Sequence, residues 1–122
     1  MPTILIVEDD VDLSYLYQTT LSEKANEMVA AKSYGEVMDL LRKEDFVPDL
    51  VILDIGMPDA PGTRIIEYMR EQPRFEATRI LVITANDHYK ERVENLGVNS
   101  FLVKPISIAY LVEVVDELMG QG

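Results

Sequence analysis

Four short apolar runs in this sequence each end in polar residues that could take part in chemistry. These residues are Glu8 with Asp9, Asp54, Thr84 and Lys104. Two carboxylates about 4 Å apart repel by about 4 kcal/mol at an effective dielectric near 20, so one lysine cannot compensate three of them. Either a carboxyl pKa rises or a hard cation such as Mg²⁺ binds the oxygens. With a hydroxyl and a lysine added, the set predicts a phosphoryl site whose carboxylate is nucleophile or metal ligand.

Each of these residues also has a simpler structural interpretation. The acidic residues at 8–10 could cap a helix and stabilise its N-terminus by their negative charge. Thr84 could simply be a residue that ends a strand, and Lys104 could be an exposed lysine at a strand end. Asp54 is harder to explain in this way, because an acid at the end of a fully apolar strand is expensive to bury without a partner. Taken together, the four strand ends favour one shared phosphoryl site.

The run at 50–53 is the stretch around which the other elements are arranged. It is apolar without alternation, which predicts a strand buried on both faces, as in a parallel sheet covered by helices. Gly56 and Pro58 then prevent regular continuation. In open α/β sheets, ligands bind outside the carboxyl ends of the strands, which is where Asp54 stands.

Five predicted strands alternate with five predicted helices, and no shift in composition marks a second domain. The strands are predicted at 3–7, 27–32, 49–54, 78–83 and 100–103. Asp9, Asp10 or Asp12 is expected to cap the first helix, which should run to about Ala25, and Ser33 and Ser107 are expected to cap later ones. Short βα units predict an α/β fold, a doubly wound parallel sheet with helices on both faces, and one domain over 1–122.

The fourth helix, predicted at 87–96, has the thinnest apolar stripe, formed by Tyr89, Val93 and Leu96. The other residues of this segment are largely charged, and Gly97 is its expected C′ residue. We expect this helix to be the least stable of the five.

The bulk composition excludes several classes of function. The net charge of −11 argues against direct nucleic-acid binding, which depends on basic surface. The absence of cysteine and the single histidine argue against disulfides, thiolate metal sites and histidine-rich clusters. No apolar run approaches the roughly 20 residues of a membrane span, and the N-terminus lacks signal-peptide order, so we expect a cytoplasmic protein without membrane contact.

The motifs together resemble the receiver domain of bacterial two-component response regulators. They are ILIVEDD at 4–10, LDIGMP at 53–58 with Gly62, ITA at 83–85 and FLVKP at 101–105. The resemblance covers essentially the whole chain, in order. It implies the flavodoxin-like (βα)5 fold with strand order 2-1-3-4-5. It also implies a signalling switch that phosphorylates and dephosphorylates itself, rather than an enzyme that turns over an external substrate.

The resemblance assigns a role to each site residue. Asp54 would accept the phosphoryl group from a sensor histidine kinase or a His phosphotransfer protein, a choice of carboxylate that the residues alone do not make. Asp9 and Asp54 would ligate Mg²⁺, with Glu8 acting largely through water and Gly56 lending its backbone carbonyl. Lys104 would pair with the acid and later with the phosphoryl group.

The resemblance also implies a conformational switch. Thr84 would move inward to hydrogen-bond a phosphoryl oxygen, and the ring of Phe101 would follow it. Phe101 could equally be an edge-strand aromatic that covers the sheet. The face formed by the fourth helix, the last strand and the last helix would then change, to contact a downstream output domain or protein or to form a dimer.

Two other functions stay open on the residues alone. One is a Mg²⁺-dependent phosphohydrolase with an aspartyl-phosphate intermediate, of the haloacid-dehalogenase type; such enzymes carry an Asp-x-Asp pair after the first strand, where this chain has Glu8-Asp9-Asp10. The other is a flavodoxin-like interaction module that is not phosphorylated. Turnover of small phosphate esters would favour the first.

Overall fold

A computed structural model describes residues 2–56, 62–85 and 87–120, and in these residues five parallel strands alternate with five α-helices. The strands are β1 (Thr3–Val7), β2 (Glu27–Ala31), β3 (Leu50–Leu53), β4 (Arg79–Thr84) and β5 (Ser100–Val103). The helices are α1 (Val11–Leu21), α2 (Tyr34–Leu41), α3 (Thr63–Glu71), α4 (Lys90–Asn95) and α5 (Ile108–Leu118). Short 3₁₀ helices occupy Ser22–Lys24, Pro73–Phe75 and Asp87–Tyr89. Met57, Pro58 and the side chain of Tyr89, which entered the sequence predictions, lie outside the described part.

The sheet has the strand order β2-β1-β3-β4-β5, and every neighbouring pair is parallel. This confirms the predicted doubly wound α/β fold and the order 2-1-3-4-5. The register aligns Val7 of β1 with Leu53 of β3, and Thr84 of β4 with Val103 of β5. The residues that follow these strands therefore lie along one edge of the sheet.

The central strand β3 is buried on both faces, as its unbroken apolar run predicts. All four of its residues are at most 2% exposed. Alternate side chains enter two separate apolar clusters, with Val51 and Leu53 on one side of the sheet and Leu50 and Ile52 on the other. A layer of helices covers each face, so the sheet forms a rigid platform for the residues at its edge.

Side-chain caps begin three of the helices where the sequence predicts. Asp10 Oδ1 accepts the N–H of Leu13 at 3.0 Å, and the hydroxyls of Ser33 and Ser107 accept equivalent N–H groups at 3.2 and 3.1 Å. None of the helices in the described residues combines the length and apolar content that crossing a membrane requires.

Two helix boundaries differ from the predictions. The expected first helix ends as α1 at Leu21, because the N–H of Ser22 bonds the carbonyl of Thr19 three residues earlier and tightens the chain into the 3₁₀ turn at 22–24. The fourth predicted helix is α-helical only at Lys90–Asn95, and its first three residues form a 3₁₀ turn. Such 3₁₀ turns are common at the ends of α-helices.

Candidate functional site

The hydrogen bonds of the sheet continue one residue beyond three of the strands and fix the backbone of the site. The N–H of Glu8 bonds Ala31 O on β2, and the N–H of Asp54 bonds Val7 O on β1, both at 3.0 Å. The N–H of Lys104 bonds Thr84 O at 2.8 Å. Glu8, Asp54 and Lys104 are therefore positioned by the sheet itself rather than by flexible loops.

Three carboxylates meet at this edge of the sheet. Glu8, Asp9 and Asp54 each offer an oxygen, and these oxygens all lie within 4.8 Å of one another. Glu8 is 2% exposed and Asp54 is 9% exposed, whereas Asp9 is open to solvent. At 4.8 Å and an effective dielectric near 20, each pair of charges repels by about 3.5 kcal/mol. Oxygen donors with excess negative charge at this spacing fit a hard divalent cation such as Mg²⁺.

Lys104 is the cation that the structure places among these acids. Its Nζ lies 2.9 Å from Glu8 Oε1 and 3.1 Å from Asp54 Oδ2. Burial alone would lower the pKa of Lys104, but the hydrogen bond to Glu8 and the charge of Asp54 outweigh it and raise the pKa. The ammonium group is therefore held in its charged form. Among the described residues, one positive charge, on Lys104, thus faces the three carboxylates of Glu8, Asp9 and Asp54.

Both carboxylate oxygens of Glu8 already have protein partners. Oε1 pairs with Lys104, and Oε2 accepts the N–H of Asp10 at 3.2 Å. Burial raises the pKa of Glu8, in spite of the hydrogen bonds from Lys104 and Asp10 that act to lower it. Asp9, in contrast, forms no hydrogen bond or ion pair with the residues at 2–56, 62–85 and 87–120. Asp9 is thus the acid most available to an incoming cation.

The carboxylate of Asp54 is fixed in orientation by a partner on each oxygen. Oδ1 accepts the N–H of Gly56 at 2.9 Å, and Oδ2 faces Lys104. A Cβ at position 56 would lie 3.4 Å from Asp54 Oδ1, so glycine places no side chain of its own over this oxygen. An acid held in this way can act as a nucleophile or as a metal ligand.

Gly62 allows α3 to begin close to this loop. A Cβ at Gly62 would lie 2.6 Å from Ile55 Cα, a distance that side-chain-bearing residues do not tolerate. The N–H of Gly62 also bonds Ile55 O at 3.1 Å. Ile55, the residue after Asp54, therefore lies directly against the N-terminal end of α3.

The two predicted switch residues lie on neighbouring strands. Thr84 is 2% exposed at the end of β4. Phe101 on β5 is opposite Val82, two residues before Thr84. The ring of Phe101 is half-buried and packs against the apolar cluster that contains Val82 and Val93. The structure thus brings these two residues to adjacent strands on the side of the site where α4 lies.

Tyr17 is a neighbour of the site that the sequence analysis did not single out. It lies on the inner face of α1 and is 3% exposed. Burial raises the pKa of Tyr17, and the positive charge of Lys104 acts in the opposite direction. Its helical spacing indicates only a core position, as it would for a leucine, so no pattern in the sequence distinguishes Tyr17 from an ordinary apolar core residue.

Comparisons with known proteins give one consistent family. The response regulator receiver domain family matches residues 4–116. The polar-differentiation response regulator DivK of Brucella ovis is 24% identical, with 98% of each chain covered. The non-phosphorylated HemR receiver domain from Leptospira biflexa has a TM-score of 0.85 at 28% identity, covering 98% of this chain and 95% of its own. Response regulator protein TrrA from Thermotoga maritima, in complex with Mg²⁺-BeF, has a TM-score of 0.81 at 28% identity, covering 97% and 99%.

Proposed function

Because this chain belongs to the response regulator receiver domain family, we propose that it is a phosphorylation-activated switch of a two-component phosphorelay. The observation that carries the proposal is the double anchoring of Asp54. Its carboxylate is held by Gly56 and Lys104 beside two further acids that can share a cation. We also propose that 1–122 acts as a single domain.

In the proposed reaction, a carboxylate oxygen of Asp54 attacks the phosphorus of a phosphohistidine on a sensor kinase or His phosphotransfer protein. The new bond is O–P, the broken bond is P–N, and its electron pair stays on the histidine nitrogen, which takes up a proton. The fixed backbone of β3 and the two hydrogen bonds to Asp54 orient the nucleophile before the donor arrives. Catalysis is then mainly positioning and neutralisation of charge.

Asp9, Asp54 and the backbone carbonyl of Gly56 would hold Mg²⁺, and Glu8 would act largely through water. The bound cation would supply positive charge that offsets the charge of the phosphoryl group. Lys104, held beside Asp54, supplies a second positive charge. The relative TrrA has been solved in complex with Mg²⁺-BeF, which supports, by analogy, a Mg²⁺ site in this chain.

Phosphorylation of Asp54 would bias an existing equilibrium between two conformations through Thr84 and Phe101. A change from 1:99 to 99:1 needs about 5.5 kcal/mol of differential stabilisation. The α4–β5–α5 face is the surface that would respond. Val103 and Tyr110 on this face are 41% and 46% exposed, so it already offers apolar side chains to an output domain, a partner protein or a second copy.

The net charge of −11 favours protein partners over direct contact with nucleic acid or an anionic membrane surface. We propose a switch that is read by other proteins rather than an enzyme with an external substrate.

The test is the intact mass of the protein after incubation with acetyl phosphate and Mg²⁺. We expect one phosphoryl adduct in wild type and none in Asp54→Asn or in the presence of EDTA. Asp12→Asn is the matched control, because Asp12 is an exposed acid in the first turn of α1 and should leave the adduct intact. An adduct that survives in Asp54→Asn would contradict the assignment of the acceptor.

The same preparation separates the two alternative functions. Steady release of phosphate from small phosphate esters would favour the phosphohydrolase. If the protein accepts a phosphoryl group neither from acetyl phosphate nor from a phosphorylated histidine donor, the interaction module is favoured.

A further inference from the structure

β5 is a short strand that its own side-chain packing holds weakly. It has four residues and lies at the edge of the sheet, so β4 is its one neighbour among the described strands. Leu102 is its one buried side chain. Ser100 and Phe101 are half-buried, and Val103 is 41% exposed. Because register is strongly specified where one face of a strand is buried, the packing of β5 specifies its register against β4 only weakly.

Lys104 follows β5 directly, so the register of this strand decides where the lysine side chain lies. Its Nζ is 2.9 Å from Glu8 Oε1 and 3.1 Å from Asp54 Oδ2. A slip of one residue along β4 would move the chain by about 3.3 Å and turn every side chain of β5 to the opposite face of the sheet. A displacement of that size would break both ion pairs. The arrangement of charges at the site therefore depends on the register of β5.

Asn99, the residue immediately before β5, binds β4 with both its backbone and its side chain. Its N–H donates to Ile80 O at 2.9 Å, and its Oδ1 accepts the N–H of Ile80, also at 2.9 Å. The side-chain oxygen thus takes the place of a main-chain carbonyl in the hydrogen bonding of the sheet. Ile80 is 0% exposed, so its N–H needs a partner within the protein. One residue, Asn99, therefore supplies a partner to both backbone groups of Ile80.

From this arrangement we infer that Asn99 is a positioning residue, which fixes the register of β5 and thereby places the ammonium group of Lys104 between its two carboxylate partners. Asn99 lies five positions before Lys104, about 16 Å along an extended chain, so it acts through the strand and not by contact. At the other end of β5, the N–H of Lys104 bonds Thr84 O at 2.8 Å. The consequence for phosphoryl transfer rests on the proposed function, whereas the ion pairs of Lys104 do not.

A double-mutant cycle between Asn99 and Lys104 tests the inference without reference to phosphorylation. Asn99→Leu has a side chain of similar size but no hydrogen-bond acceptor. The readout is the urea concentration at the midpoint of unfolding in EDTA. Sites so far apart normally have additive effects on stability. We expect coupling instead: Lys104→Met should lower the midpoint in the Asn99→Leu background by less than half as much as it does in wild type.

The same four proteins give a second readout, the initial rate of phosphorylation by acetyl phosphate at saturating Mg²⁺, followed by intact mass. Asn99→Leu alone should slow this rate about tenfold, because it displaces a charge that is positioned for the reaction. In the Lys104→Met background, Asn99→Leu should change the rate by less than about twofold, because the group that it positions is already absent. Asn99→Asp keeps an oxygen at the same place and should restore the rate of wild type.

The matched control is Thr78→Val. Thr78 is 3% exposed, and its Oγ1 donates to Pro48 O at 2.7 Å, a bond that connects the start of β4 to the segment before β3 and not to β5. Its loss should also lower the urea midpoint, because a buried hydrogen bond is removed. Its effect should add to that of Lys104→Met and should leave the phosphorylation rate unchanged.

Two results would overturn the role of Asn99 and leave the proposed function in place. One is an equal loss of midpoint on Lys104→Met in the wild-type and Asn99→Leu backgrounds. The other is coupling of Thr78→Val to Lys104→Met as strong as that of Asn99→Leu, which would show general loss of stability. If wild type takes up no phosphoryl group, the proposed function fails, and the stability cycle alone then decides the role of Asn99.

Discussion

Replacing Lys104 with methionine should destabilise the metal-free protein and make its stability depend strongly on Mg²⁺. The lysine bridges Glu8 and Asp54, which are 2% and 9% exposed. Methionine has a similar unbranched stem but no charge, so the substitution leaves two buried carboxylates facing each other. Removing one member of a buried ion pair lowers stability far more than replacing the whole pair with apolar residues, because the remaining charge is left uncompensated.

The magnitude follows from the distances. Each of the two contacts, at 2.9 and 3.1 Å, is worth about 5.5 kcal/mol of gross attraction at an effective dielectric near 20. The desolvation of the charges offsets most of this, and breaking a fully buried pair typically costs about 3–5 kcal/mol net. Because the side chain of Lys104 is 21% exposed, solvent screening reduces the effect, and we expect a loss of about 2 kcal/mol.

The assay is urea unfolding followed by circular dichroism at pH 7, first in EDTA and then in MgCl₂. The free energy of unfolding should fall by about 2 kcal/mol in EDTA. A cation whose free concentration is 100 times its Kd stabilises the folded protein by about 2.7 kcal/mol. The gain from Mg²⁺ should be larger in the variant than in wild type, because no ammonium group then competes for the same carboxylates.

Lys24→Met is the matched control. Lys24 pairs with Asp116 at 2.6 Å, but the two side chains are 31% and 40% exposed, and such surface pairs contribute about 0–1 kcal/mol. If Lys104→Met were no less stable than Lys24→Met in EDTA, the reasoning from buried, bridged carboxylates would be refuted. An equal Mg²⁺ effect in both variants would refute the competition between the two cations.

Three further predictions concern the glycines and the acid around the site. Gly62→Ala should lower the free energy of unfolding by about 1–3 kcal/mol, because its Cβ would meet the backbone of Ile55. Gly35→Ala in α2, where the nearest atom is 4.0 Å away, should instead raise it by about 0.5–1 kcal/mol. Urea unfolding of both variants checks the pair, and equal effects would contradict the prediction. Gly56→Ala or Gly56→Met should slow loss of the phosphoryl group from Asp54, because the new Cβ would lie 3.4 Å from Asp54 Oδ1 and obstruct an attacking water molecule. The lifetime of the phosphoryl group is measured by intact mass, and unchanged rates would argue against this obstruction. The pKa of Glu8 is raised in the folded protein above its ordinary value of 4.5. The stability gained by protonating Glu8 is therefore fully present below about pH 4.5 and is lost as the pH rises through the pKa of the folded state. In EDTA, the unfolding free energy of wild type should fall relative to that of Glu8→Gln over this range, and a constant difference would exclude Glu8 as the titrating group.

The sequence alone carries the local features of this fold. The unbroken run at 50–53 specifies a strand buried on both faces, because strands of this kind need no alternation. Asp10, Ser33 and Ser107 specify where three helices begin, because a short polar side chain can bond an N–H group three residues ahead. The sequence motifs at the four strand ends also identify the receiver domain family, which the family match over residues 4–116 confirms.

The boundaries of the weaker elements are decided by competition that no sequence pattern records. The segment at 87–96 has a helical pattern, yet its first turn is 3₁₀ and only Lys90–Asn95 is α-helical. Within Lys90–Asn95 only Val93 is buried, so packing contributes little energy to keep this part of the segment in regular geometry.

The arrangement of charges was decided only by the tertiary structure. Lys104 meets Glu8 across 96 positions and Asp54 across 50, and these contacts depend on strand order and register. Neither property is encoded in a local period, because many pairings of the same strands would bury equivalent apolar faces. The same holds for Asn99, whose partner Ile80 lies 19 positions away. The sequence determined which chemical groups are available at the strand ends, and the packing of the sheet determined that Glu8 is buried and paired while Asp9 is left open to a cation.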